Sequence, residues 1–274
     1  MAGILTVSSI ETRKLLSQRS FLLTTLLLLL AWKLIVLYEV IAGGKSDGLI
    51  DFEINGFYLV ARSAGIGLTL WVVLLFVLAG NSLAGESERG QLRMLLVRPA
   101  TRSSHYLGKL LALLAATLLA LTADALIGAL VGGFFLGFGD VADTSLQGEM
   151  YSSGALALDL LIAYLLTGLA LLATASLALC LSALFRQATT AITVGLLLLV
   201  TSSAVGFVYG EPIDRFLVTT WDLRSFSVLE KVTAGTSVYR QSSDTVQAVL
   251  IPLITLAVST WVGLLSFRSR DVLN

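Results

Sequence analysis

Few of the side chains that commonly carry out catalysis occur in this sequence of 274 residues. It contains one histidine, His105, and one cysteine, Cys180. A zinc or iron–sulfur site built from protein ligands needs several such residues, so we expect no metal site and no cofactor bound by this chain. His105 is expected to be solvated or interfacial. Cys180 lies in an apolar run and is expected to be an inert buried thiol without an intrachain disulfide.

Sequence motifs for nucleotide binding and for ester hydrolysis are also missing. The tripeptide Gly44-Lys45-Ser46 resembles the end of a phosphate-binding loop, but Glu39 stands where the first glycine of that loop is required. We therefore reject this segment as a nucleotide site. No Gly-x-Ser-x-Gly sequence, which would indicate a serine hydrolase, occurs in the chain. The protein is not expected to be an enzyme by itself.

Six long apolar runs dominate the chain. Each has about the 20 residues that a helix needs to cross the ~30 Å hydrocarbon core of a bilayer. The hydrophobic fraction is 56%, the charged fraction is 13% and the mean hydropathy is +0.89, which excludes an ordinary soluble domain. Residues 1–274 are predicted to form one transmembrane domain. The predicted spans are approximately 21–41, 58–84, 110–138, 155–184, 188–208 and 246–267.

The connections between the runs alternate in charge. Eleven of the 18 Lys and Arg residues precede run 1, join runs 2 and 3, join runs 4 and 5, or follow run 6, and only four acidic residues accompany them. The other connections carry most of the remaining acidic residues. By the positive-inside rule, both termini and the 85–109 loop are predicted to be cytoplasmic.

Charged residues within or near the spans include Asp124, Lys33, Glu39 and Arg62. Asp124 falls near the middle of span 3, where a carboxylate costs about 2.5–3.5 kcal/mol on insertion scales. It is expected either to be protonated or hydrogen-bonded and to face Ser and Thr hydroxyl groups such as those of Thr167 or Thr174, or to line a transport pathway. The other three, expected to extend to the membrane interface or to form a charged outer vestibule, are Lys33, Glu39 and Arg62.

Three further segments complete the predicted all-α fold. Residues 3–19 are predicted to form either an interfacial helix on the inner leaflet or a polar tail. Residues 209–245, between spans 5 and 6, are predicted to contain an extracytoplasmic amphipathic helix or a partly re-entrant pair rather than a disordered loop. The reason is that apolar residues recur there at roughly helical spacing, namely Phe216, Leu217, Trp221, Phe226 and Leu229. The small-residue pairs Gly128/Gly132 and Gly133/Gly137 predict close helix packing, with a hinge as the alternative.

The 85–109 loop contains a predicted short amphipathic helix. Leu92, Leu95 and Leu96 share one face, and Pro99 ends the helix. Glu86 and Glu88 are placed at its start, where the helix dipole favours anions. The helix is either an ordinary connector with positive-inside charges or a docking helix for a cytoplasmic partner.

This loop resembles the coupling helix of type-2 ABC exporter permeases. The resemblance covers the whole chain in topology and is specific over about residues 84–110. Gln91 departs from it, since the family often has Thr there. The residues that carry the signature or its charged ends are Glu86, Glu88, Arg89, Gly90, Leu92, Leu95, Leu96, Arg98, Pro99 and Arg102.

The resemblance implies a membrane-spanning permease subunit of an ATP-driven transporter, expected to export its substrate. Two permease subunits, identical or related, would pair in the membrane, and two copies of a separate ABC ATPase subunit, which uses ATP and Mg²⁺, would dock on the coupling helices. The implied location is a bacterial inner membrane. Membrane lipid is an expected partner, a periplasmic or extracellular accessory protein is an optional one, and nucleic acid is not expected.

Two other classes of function compete with the transporter. One is a membrane anchor that recruits a partner through the 85–109 loop without transporting anything. The other is an intramembrane hydrolase, which needs a nucleophile and a base at membrane depth. The chain has Asp124 at this depth but no intramembrane histidine to act with it, which disfavours such a site.

Overall fold

The structure is a computed structural model that describes residues 2–17, 19–43, 55–90, 101–142, 150–209, 216–233 and 245–269. A two-residue antiparallel strand pair, β1 (Val141–Ala142) and β2 (Met150–Tyr151), accompanies the helices. Those helices are α1 (Ala2–Ser17), α2 (Arg19–Gly43), α3 (Gly56–Glu88), α4 (Arg102–Phe135), α5 (Ser153–Leu184), α6 (Ala188–Tyr209), α7 (Val218–Thr233) and α8 (Thr245–Ser269).

Six of these helices are long and apolar enough to cross a membrane, namely α2, α3, α4, α5, α6 and α8. The predicted six-span helical fold is therefore confirmed. One end of the bundle, here called the basic end, carries α1, the C-termini of α3, α5 and α8, and the N-termini of α4 and α6. The opposite end carries the strand pair and α7.

Helix α5 lies at the centre of the bundle and packs against α8, α3 and α7. Hydroxyl groups join it to two of these neighbours. The Ser182 hydroxyl accepts hydrogen bonds from the backbone N–H groups of Leu83 and Ala84 in α3, and Ser176 bonds to Ser259 of α8. Because lipid offers no hydrophobic drive between helices, such bonds and close packing hold the bundle together.

Glycines let α3 and α4 approach closely at the opposite end. A Cβ added to Gly132 would lie 3.1 Å from the carbonyl oxygen of Gly56, and one added to Gly128 would contact Val60. The packing role predicted for Gly128/Gly132 matches this geometry. Gly137 instead has a φ of 74° and follows the end of α4, a conformation that favours glycine.

The helix predicted between spans 5 and 6 is present as α7. Its apolar face is buried against the bundle through Trp221, Phe226 and Leu229. Phe216 precedes the helix and is 74% exposed, so it does not belong to that buried face. Helix α7 thus packs against α5 and α3 rather than extending away from the bundle.

The boundaries around the 85–109 loop differ from those predicted. Helix α3 continues to Glu88, because nothing before Gly90 (φ 69°) interrupts it. Glu86 and Glu88 therefore lie in the last turn of α3, not at the start of a separate helix. Helix α4 begins at Arg102 rather than near residue 110, since Thr101 caps its N-terminus through the Ser104 N–H. Residues 91–100 lie outside the described residues.

The close contact between α3 and α4 predicts a steric test. Gly132→Leu would force the Gly56 backbone away, so we expect it to destabilise the fold by about 1–3 kcal/mol, the usual cost of overpacking. Thermal unfolding of the purified protein in detergent measures this. Gly65→Leu is the matched control, because a Cβ at Gly65 meets no atom within 4 Å. Equal melting temperatures for the two variants would contradict the packing.

Candidate functional site

A buried ion pair joins α2 to α4 within the membrane-spanning part of the bundle. Lys33 Nζ lies 2.9 Å from Asp124 Oδ1, and the two side chains are 0% and 1% exposed. Gly67 of α3 lies on the other side of the carboxylate, where an added Cβ would be 3.6 Å from Asp124 Oδ1. The absence of side chains at Gly67 and Gly128 thus leaves room for the pair.

Tyr164 of α5 provides the second partner of the carboxylate. Its hydroxyl donates a hydrogen bond of 2.8 Å to Asp124 Oδ2. The ring of Tyr164 also meets the ring of Phe226 in α7 edge to face, with centroids 4.9 Å apart. One carboxylate and one aromatic contact therefore link four helices one after another, namely α2, α4, α5 and α7.

The partners of Asp124 are not the predicted ones. The carboxylate contacts neither Thr167 nor Thr174 by any described hydrogen bond, and the Thr174 hydroxyl donates to the Ala170 carbonyl instead. The prediction that Lys33 extends to the interface is also wrong. Two isolated charges at this depth would each be costly, and pairing them removes most of that cost.

Arg62 forms a second, more exposed cluster at the opposite end. Its guanidinium donates to Glu230 of α7 at 2.8 Å and lies 3.5 Å from Glu39 of α2. These contacts join α3 to α7 and α2. Pairs exposed to this degree contribute little stability, typically 0–1 kcal/mol.

A third cluster occupies the basic end and involves α1, α3 and α4. Lys109 Nζ donates to Glu86 Oε1 at 2.8 Å and to Glu11 Oε1 at 3.0 Å. Lys14 Nζ also donates to Glu86 Oε1, at 3.0 Å. Burial lowers the pKa of Lys14, but its hydrogen bond to Glu86 and the charges of Glu11 and Glu86 outweigh burial, so the pKa lies above its usual value.

The remaining described residues of the predicted coupling segment have distinct positions. Glu86 faces inward, whereas Glu88 is exposed and accepts a hydrogen bond from the Ala188 N–H at the start of α6. This places Glu88 at a helix N-terminus other than the predicted one. Arg89 is exposed, and Arg102 donates to the Arg268 carbonyl of α8. The other members of the segment lie outside the described residues, namely Leu92, Leu95, Leu96, Arg98 and Pro99.

His105 and Cys180 are both buried. Burial was predicted for Cys180 but not for His105, which is 6% exposed because α4 begins at Arg102 and carries it into the bundle. Within the described ranges, no group of three or more His, Cys, Asp or Glu residues could hold a metal ion.

The fold and these clusters define a six-span helical membrane protein with an intramembrane ion pair. The chain belongs to the ABC-2 family of transporter proteins, whose family model, described as ABC-2 family transporter protein, matches residues 5–272. No curated protein matches the chain significantly. The resemblance stated from the loop and the topology is therefore confirmed at the level of the family.

The pairing of Lys33 with Asp124 was missed, although the sequence contains a signal for it. Both residues lie about a dozen residues into their spans from the same predicted side of the membrane. Opposite charges at equal depth in two spans are natural partners. The partnership of Glu86 with Lys109 was hidden because residues 85–109 were treated as a loop, whereas both residues belong to long helices.

The ion pair predicts strong energetic coupling between its members. Lys33→Met and Asp124→Leu should each destabilise the protein by about 3–5 kcal/mol, because each leaves an uncompensated buried charge. The double variant should recover most of this loss. Thermal unfolding of the four proteins in detergent gives the coupling energy.

The exposed pair at the opposite end provides the control. The same cycle with Arg62→Met and Glu230→Leu should give a coupling of at most about 1 kcal/mol. Additive losses for Lys33→Met and Asp124→Leu, with no recovery in the double variant, would show that the two residues do not stabilise one another.

Proposed function

We propose that the protein is the permease subunit of an ATP-driven ABC exporter. The match of the ABC-2 family model to residues 5–272, on a chain with six membrane-spanning helices, is the observation that carries this proposal. Membrane subunits of this family generally work with an ABC ATPase. In our proposal two such ATPase subunits use ATP and Mg²⁺, and two permease subunits, identical or related, form the transport path.

The proposed orientation places the basic end in the cytoplasm of a bacterial cell, at its inner membrane. The charge bias of the connections supports this, since 11 of the 18 Lys and Arg residues fall on that side. Helix α1 contacts α4 at this end and would lie near the inner leaflet. Helix α7 would then face the outside, where an accessory protein could bind.

Docking of the ATPase is proposed for the segment that joins α3 to α4. This segment connects two helices of 33 and 34 residues at the proposed cytoplasmic end. A push on it would act directly on both. The exposed residues Glu88 and Arg89 would contact the ATPase together with Leu92, Leu95 and Leu96, while the buried Glu86 would hold the base of the segment against α1 and α4.

The proposed orientation predicts which introduced cysteines react from outside. In a Cys180→Ala background, Ser242→Cys should be modified by a membrane-impermeant maleimide added to intact cells, because residues 234–244 join α7 to α8 on the outer side. Ser103→Cys, at the start of α4, should react only after permeabilisation. Labelling of Ser103→Cys in intact cells would contradict the orientation.

The proposed docking predicts that Leu95→Glu/Leu96→Glu inserts normally but no longer retains the ATPase or no longer couples ATP hydrolysis to transport. Two carboxylates would replace the apolar contact on which such docking depends. The measurement is ATPase co-purification and ATP turnover in proteoliposomes.

Arg186→Glu/Gln187→Glu is the matched control, since it adds the same two carboxylates to the exposed turn between α5 and α6. The control should retain both properties. Unchanged assembly and unchanged coupling in the leucine variant would leave residues 91–100 as a connector. Retained assembly without any transport-linked turnover in the wild type would instead favour a membrane anchor.

A further inference from the structure

A cavity of about 380 Å³ opens at the basic end between α1, α3 and α4. Its volume falls within the ~300–1,000 Å³ of typical ligand pockets. Charged side chains surround it on three sides. They comprise three cations and two anions: Lys14, Arg89, Lys109, Glu11 and Glu86.

The deeper wall of this cavity is apolar and includes Leu74, Leu78 and Leu113. A second cavity of about 190 Å³ lies beside it and is lined mainly by apolar side chains of α2, α3 and α4. Leu15 and Ala112 line both cavities. The two cavities therefore adjoin, with charged groups lining the first and mainly apolar groups lining the second.

A buried carboxylate oxygen in the first cavity lacks a hydrogen-bond partner in the part of the chain that the structure describes. Glu86 Oε1 accepts hydrogen bonds from Lys14 and Lys109, but Oε2 has no hydrogen-bond partner among the described residues, although the side chain is only 4% exposed. A buried carboxylate oxygen without a donor is costly. This oxygen can therefore accept a hydrogen bond from a molecule bound in the cavity.

We propose that this site binds one membrane phospholipid with a primary ammonium headgroup, of the phosphatidylethanolamine class. The ammonium donates a hydrogen bond to Glu86 Oε2, and the phosphate lies near the cations Lys14 and Arg89 at the mouth. One acyl chain enters the apolar cavity past Leu15.

The mixed charge of the site selects this headgroup over others. An anionic lipid such as phosphatidylglycerol would match the cations but could donate only a neutral hydroxyl to Glu86 Oε2, which makes a weaker hydrogen bond than an ammonium group does. A choline headgroup carries a positive charge but has no N–H to donate. A free headgroup would leave the apolar cavity empty, so the occupant is a lipid rather than a soluble phosphate compound.

The binding site does not depend on the proposed function, since lipid binding needs neither an ATPase nor transport. It is tested on the purified full-length protein. After delipidation in detergent, the protein is titrated with dioleoyl phosphatidylethanolamine, phosphatidylcholine or phosphatidylglycerol, or with glycerophosphoethanolamine. Native mass spectrometry counts the bound molecules and gives the affinity of the first one.

We expect a single tight phosphatidylethanolamine, bound about tenfold or more tightly than phosphatidylcholine, because one charge-assisted hydrogen bond separates them. Glycerophosphoethanolamine should bind far more weakly than the lipid. Equal affinities for phosphatidylethanolamine and phosphatidylcholine would overturn the proposal and assign the Glu86 oxygen to water. Equal affinities for the lipid and its free headgroup would assign the site to a soluble ligand and overturn it as well.

Two variants locate the binding. Glu86→Gln replaces one carboxylate oxygen by an amide that donates, so it should remove the preference for phosphatidylethanolamine. Glu39→Gln makes the same change at an exposed position of the opposite end and should retain the preference.

Leu15→Trp tests the site without changing any ion pair. The proposal can therefore still be tested if Glu86→Gln does not fold. Because Leu15 lines both cavities, the larger ring would occupy the space where they adjoin and should weaken lipid binding about tenfold or more, since an acyl chain would lose its burial. Leu5→Trp, at an exposed position of α1, is its control. Unchanged binding in Leu15→Trp would overturn the proposed path.

Discussion

The arrangement of the bundle depends on the ion pair between Lys33 and Asp124. Each charge alone is costly at this depth in a membrane, so the two helices that carry them are constrained to face one another. Apolar side chains cannot impose this, because lipid solvates leucine as well as another helix does. The pair therefore determines which face of α2 meets α4. Tyr164 extends the constraint to α5, and its contact with Phe226 brings α7 into the same network.

Among the described residues, three clusters of charged side chains lie at different levels along the bundle, and each joins a different set of helices. Arg62 connects α3 to α2 and α7 at one end, and Lys109 connects α4 to α1 and α3 at the other. The exposed Arg62 cluster contributes little stability but can rearrange at little cost. The buried levels have a greater effect on stability, because breaking either one leaves charges without partners. A movement of α7 against α3 at the Arg62 cluster would therefore meet less resistance than a movement of α2 against α4 at the Asp124 pair.

Much of the fold could be predicted from the sequence, and the failures have a common physical origin. The length and composition of the apolar runs predict the six spans. A helix must be long enough to match the thickness of a bilayer and apolar enough to lie in its hydrocarbon core. Which residues meet across helices depends on the depth of each residue in the membrane and on the rotation of each helix about its axis. The length of an apolar run contains no information on either. Thus Asp124 was predicted with the wrong partners, and Lys33 was assigned to the interface. Residues 85–109 were assigned to a loop because many of them are charged. In the structure, however, helix α3 continues to Glu88 and α4 begins at Arg102. This error hid the burial of both Glu86 and His105.

The proposed role of Lys33 and Asp124 in the bundle requires that they form a charged pair and not two neutral groups in contact. Infrared spectroscopy of the purified protein, as a difference spectrum between the wild type and Asp124→Asn, tests this most directly. The account predicts that the wild type contributes the symmetric and antisymmetric stretching bands of an ionised carboxylate at neutral pH. A carbonyl band of a protonated carboxylic acid in their place would contradict it.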